Sequence, residues 1–156
     1  MARFHFNLET VLTQRARAEQ AAQRQVALAR QALVPLQDAL MNLDRSRRDA
    51  DEQLRTRLVG PIDVSFIGGH RRFVVSLEKQ ALDLARKIAE AQVLVDKAQA
   101  VLLAAARDKK AIETLKERYL ERWQEEQAKK ENADLDEAGM QIAFTNLTQA
   151  VDEGAS

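Results

Sequence analysis

Few side chains in this chain are spaced for bond-making chemistry. His5 and His70 each stand alone, without a second ligand at metal-binding spacing, and read as surface histidines. Adjacent carboxylates occur at Asp51-Glu52 and Asp136-Glu137. A general acid–base pair needs a pocket that drives two pKa values apart, and both pairs sit in polar, helix-forming surroundings. Gly68-Gly69 precedes a helical stretch but lacks the rest of a phosphate loop or dinucleotide fingerprint. With no cysteine there is no thiolate ligand and no disulfide framework. No catalytic residue, cofactor site or metal site is assigned, and the expectation is a protein that is not an enzyme.

The informative spacing is apolar. Alternating steps of three and four residues from Val74 land on Leu77, Ala81, Leu84, Ile88, Ala91, Val95, Ala98, Leu102, Ala105, Lys109 and Ile112. Eleven of these twelve positions are apolar, and no Pro or Gly interrupts them. Such steps average 3.5 residues, the period of a left-handed coiled coil, and so narrow a stripe requires a partner helix. The same ruler from Leu8 passes through Leu12, Arg15, Glu19, Ala22, Val26 and on to Leu54, with eleven of fourteen positions apolar. It predicts a first helix over about 8–57, roughly 75 Å long at 1.5 Å per residue. Pro35, its one internal breaker, is expected to bend it near residues 31–35.

Between the stripes, residues 59–69 hold Gly60, Pro61, Gly68 and Gly69, the one clustered break signal. The expected architecture is all-α: a long antiparallel two-helix coiled-coil hairpin over 4–123, with the connection at 59–69 and helix 2 from about 70. Phe66 and Ile67 are expected to cap the seam at the connection or to form an exposed tip contact. If Leu54 faces about residue 74, then Leu36 meets Ala91 or Val95, Val26 meets Leu102, and Glu19 meets Lys109. Glu19 and Lys109 carry opposite charge on the two stripes and read as a register-setting pair, weighed against both snorkelling to solvent. Charge reversal at Glu19 is expected to lower the melting midpoint, and reversal at both to restore part of it.

At the start of the chain Phe4 and Phe6 fall on one side of an extended segment, either a hydrophobic staple or frayed end, or an exposed aromatic anchor for a partner, and Asn7 is a plausible N-cap. The alignment sets Leu8 against Tyr119 or Leu120. Helix 2 then outruns helix 1 and leaves the apolar residues near Trp123 without an intrachain partner. Residues 124–134 carry no large apolar side chain. The 124–156 stretch is therefore expected to be a polar helical extension and tail, either solvated helix or disordered. Within it Met140, Phe144, Leu147 and Val151 recover a 4-3-4 spacing, a stripe that could fold back onto Phe4 and Phe6, self-associate or await a partner.

Composition agrees with long helices: Ala, Leu, Gln, Glu, Arg and Lys dominate, and aromatics make up only 4%, too few for a large globular core. The 24 basic and 24 acidic residues cancel, which argues against a purely electrostatic nucleic-acid binder. The basic clusters near both helix ends are interleaved with acids, as in Glu113, Lys116, Glu117 and Arg118, and read as solvated helix surface. No uncharged run is long enough to span a bilayer, and the N-terminus lacks a secretory apolar region. The expectation is a soluble cytoplasmic chain with no direct membrane insertion, monomeric when free.

Three segments together resemble a known family. They are Phe4-His5-Phe6-Asn7-Leu8-Glu9-Thr10-Val11-Leu12, then Phe73-Val74-Val75-Ser76-Leu77-Glu78-Lys79, and Ala111 to Arg118 followed by Trp123 and Lys130 to Glu137. Their order over about residues 4–145 resembles FliJ, the small coiled-coil component of the flagellar type III export apparatus. The resemblance implies an antiparallel hairpin similar to the stalk of rotary ATPases. It implies binding to the hexameric export ATPase (FliI-like), to the membrane export gate protein (FlhA-like) and to export chaperones, with peripheral association at the inner membrane. Carried onto this sequence, the ATPase-binding end is Phe4, Phe6, Leu8, Leu12, Leu115, Tyr119 and Trp123, and gate binding falls on Phe73 and Leu77. Gln80 and Leu84 stand where some members have a small residue and a histidine, and Gly139-Met140 stands where members often continue as unbroken helix. The competing readings are the equivalent stalk of a virulence secretion system, a coiled-coil adaptor or homodimeric scaffold without an ATPase partner, and a coiled-coil RNA-binding arm.

Overall fold

A computed structural model describes residues 2–154 and folds them into two helices, α1 (Glu9–Arg57) and α2 (Val64–Gly154), of 49 and 91 residues. No strand occurs among the described residues. The chain divides into two compact units: one is Arg15–Arg107, and the other combines the first fourteen residues with those from Asp108 onward.

The 3-4 ruler describes the buried face of both helices. All twelve α2 positions from Val74 to Ile112 are buried or half-buried, and the residues between them are exposed except Ala106. Along the first stripe, from Leu8 through α1 to Leu54, twelve of the fourteen positions are buried or half-buried; Arg15 and Arg47 are exposed. This burial is that of a narrow coiled-coil seam, not a globular core, and among described residues the deeply buried set is only Phe6, Ala22, Val26, Leu33, Ala50, Leu77 and Val95.

In the unit Arg15–Arg107 the two helical arms run antiparallel from the connection, as the sequence predicts. Arg47 Nη1 lies 3.2 Å from Glu78 Oε1 on the opposite arm. The predicted alignment sets Arg47 against Ala81, so the observed pairing sits within one helical turn of it. Both side chains are half exposed, 48% and 53%, so the pair orients the arms and contributes at most about 1 kcal/mol. α1 runs unbroken through Pro35. Gln31, whose carbonyl loses its amide partner there, is exposed, so water can serve that oxygen.

The connection is shorter than the glycine cluster suggests. Leu58 N still donates to Leu54 O at 3.0 Å, Gly60 then takes φ 94°, and Pro61 leads into Asp63. The Asp63 carboxylate accepts from Ser65 N (2.9 Å) and Phe66 N (3.3 Å), which caps α2 and starts it at Val64. Gly68 and Gly69 therefore lie inside α2, where the sequence places them in the connection. Phe66 and Ile67 are half-buried, and the Arg57 guanidinium stacks 4.3 Å over the Phe66 ring. His70, expected at the surface, has a side chain only 13% exposed, with Nε2 3.2 Å from Asp51 Oδ1 but off hydrogen-bond alignment.

In the other unit α1 starts at Glu9 after a turn closed by Glu9 N donating to Phe6 O at 3.2 Å. Asn7, expected as the cap, instead lies with Oδ1 3.2 Å from His5 Nδ1. α2 continues as helix to Gly154, and every residue from Ala128 to Gly154 is exposed. The tail is thus solvated helix, and its apolar stripe does not fold back onto Phe4 and Phe6.

Candidate protein-docking surfaces

The residues named from the resemblance for the ATPase-binding end all fall in the unit that contains the N-terminus, and four of them pair there. Phe4 packs edge-to-face on Trp123 with ring centroids 5.9 Å apart and planes at 60°. Phe6 does the same on Tyr119 at 5.9 Å and 68°. The pairing follows from two periodicities. Two residues of extended chain advance about 6.6 Å, and four residues of α-helix advance about 6 Å, so every second residue of residues 4–6 meets every fourth residue of α2. The rungs run antiparallel. Lys116 fastens the side of the clasp: its Nζ is 2.8 Å from Glu9 Oε2 and 5.9 Å from the Phe6 ring centroid.

This arrangement corrects one expectation. Trp123 is not left without an intrachain partner, and Tyr119 meets Phe6, because the alignment that set Leu8 against Tyr119 or Leu120 ignored the longer reach of the extended residues before Leu8. The signal was present in the sequence as paired aromatics at steps of two and four. Phe6 is buried at 5% exposure and acts as the clasp's anchor. Phe4, Leu8, Leu12, Leu115 and Trp123 are half-buried, and Tyr119 is 43% exposed, so the cluster offers an apolar edge to a partner while holding itself together. Lys109 Nζ lies 3.7 Å from Glu113 Oε1, one turn along the same helix.

The two residues that the resemblance names for gate binding differ sharply in access. Phe73 is 46% exposed, whereas Leu77 is 6% exposed and belongs to the seam. Around Leu77 an open groove is lined by Leu40, Met41, Leu43, Arg47 and Ala81. Met41 is 56% exposed, so the apolar surface of the groove around Leu77 comes partly from α1, a contribution the sequence motifs did not reveal; Phe73 lines a separate hollow with Ala50, Gln53, Phe66 and His70. Gln80 Nε2 donates to Ser76 Oγ at 3.3 Å, and Leu84 is half-buried in the seam.

Among the described residues no group of His, Cys, Asp and Glu could hold a metal ion, and no helix is long and apolar enough to cross a membrane. No curated protein and no solved structure matches the chain. The profile of the family described as "Flagellar FliJ protein" does match, over residues 4–148, so the chain belongs to the FliJ family of flagellar export-apparatus components.

Proposed function

We propose that this chain is a stalk-like, non-enzymatic part of flagellar protein export. Its aromatic clasp grips the hexameric export ATPase, the surface around Phe73 meets the membrane export gate, and export chaperones are further partners. Family membership and the exposed edges of the docking surfaces support this reading. The observation that carries it is the clasp itself. Phe4, Phe6, Tyr119 and Trp123 form a preformed apolar patch flanked by the Lys116–Glu9 pair, the composition of a protein-binding hot spot. At the gate surface Phe73 makes the contact and Leu77 holds it in place from the seam. The flagellar family match favours this reading over a virulence-system stalk.

The test is a pull-down of the purified export ATPase by the full chain, followed by an ATPase assay. The native chain binds and accelerates hydrolysis. The Tyr119→Ala, Trp123→Ala double variant loses the acceleration while its far-UV circular dichroism stays nearly unchanged. Normal acceleration by that variant would overturn the assignment of the clasp.

A further inference from the structure

The neutral total hides a strong polarity. After Lys130 the sequence contains six carboxylates, Glu131, Asp134, Asp136, Glu137, Asp152 and Glu153, and no Lys or Arg. Since basic and acidic residues number 24 each, residues 1–130 carry the matching positive excess. The acidic stretch is helical, and its stripe is bare: Met140, Phe144, Leu147 and Val151 are 69%, 70%, 65% and 68% exposed. Four large apolar side chains in line on one helix face are the pattern of a helix that lies in a groove.

The charges select the occupant. A nucleic acid or an anionic bilayer would repel carboxylates at both ends of the stripe. Pairing with the tail of a second copy sets acid against acid in either direction: parallel alignment superposes identical carboxylates, and antiparallel alignment of the stripes brings Asp136 and Glu137 within one helical turn of Asp152 and Glu153. The helix itself points to cations. Its last turn contains no basic residue but carries Asp152 and Glu153, which oppose the negative end of the helix dipole. A positive side chain from outside would relieve both. Within this chain two of the three arginines lining the groove around Leu77 already have carboxylates beside them, Arg47 with Glu78 and Arg48 with Asp44.

We infer that the helix over residues 134–153 docks into another protein whose apolar groove is rimmed by Lys and Arg. The stripe supplies the anchors, and the flanking carboxylates set orientation and speed of encounter. This inference does not rest on the ATPase reading, since the tail shares no residue with the clasp.

The experiment places the photo-crosslinker benzoylphenylalanine at position 144 of the full chain in the source bacterium. Adducts are resolved by mass, and the partner peptide is mapped. The expected result is one adduct with a different protein, mapped to an apolar groove with Lys or Arg at its rim. Its yield falls about tenfold or more when Asp134, Asp136, Glu137, Asp152 and Glu153 become Asn or Gln, the loss expected for removing several complementary charges. Circular dichroism and ATPase stimulation of the neutralised variant stay native. An adduct of twice the chain's mass, a lipid or nucleic-acid adduct, no adduct, or an adduct indifferent to neutralisation would each overturn the inference.

Discussion

Trp123 is the chain's one tryptophan, so its fluorescence reports the clasp without interference. Phe6 is the clasp's buried anchor, and an edge-on aromatic pair contributes about 0.5–1.5 kcal/mol beyond burial. Residues 2–6 precede α1 and can leave without unfolding it. Phe6→Ala should therefore release the segment locally: Trp123 emission shifts to the red and its quenching by acrylamide quickens, while far-UV helicity holds. Unchanged emission would mean that Phe4 keeps its place without Phe6. At the connection, Asp63→Ala removes the acceptor for Ser65 N and Phe66 N. It should cost about 1 kcal/mol, with faster hydrogen exchange confined to the first turn of α2. Single residues were the least legible scale in the sequence. His70 and Asp51, nineteen positions apart, meet only because the connection turns the chain between them.

The elements were far more legible. A stripe at 3.5-residue spacing has one physical solution, a partner helix, and it is this spacing that marks the buried positions from Val74 to Ile112. The Gly68–Gly69 pair misled because its helical penalty, about 1 kcal/mol per residue, is small beside a cap at Asp63 and a long packed helix. That account can be checked. A Cβ added at either glycine would meet nothing within 4 Å, and among the described residues only Gly60 takes positive φ. Gly68→Ala and Gly69→Ala should each stabilise by up to about 1 kcal/mol, whereas Gly60→Ala should destabilise by about 1–2 kcal/mol. Thermal or urea unfolding decides, and destabilisation by the first two would return them to a turn. In the seam, Leu77→Ala should cost about 2–4 kcal/mol, and Leu82→Ala, at a 67% exposed position, under about 0.5 kcal/mol.

For the whole molecule, family membership was legible in the order of three short segments, and the family profile covers residues 4–148. The clasp geometry was not, because an extended segment and a helix advance at different rates per residue and no single stripe records their match. The accessibility of the two residues proposed for gate binding was not legible either: Phe73 and Leu77 lie four positions apart, yet only Phe73 is open. Sedimentation of the free chain should give a monomer, and an elongated dimer would favour the scaffold reading. The central claim is that the clasp unit grips the export ATPase. Because the chain has no cysteine, single-cysteine variants carrying a thiol-linked photo-crosslinker report contacts one position at a time. Exposed Arg122 lies beside the clasp and exposed Val64 at the start of α2. Mixed with the export ATPase and illuminated, Arg122→Cys should yield an ATPase adduct and Val64→Cys none; an adduct from Val64→Cys alone, or from neither, would contradict the account.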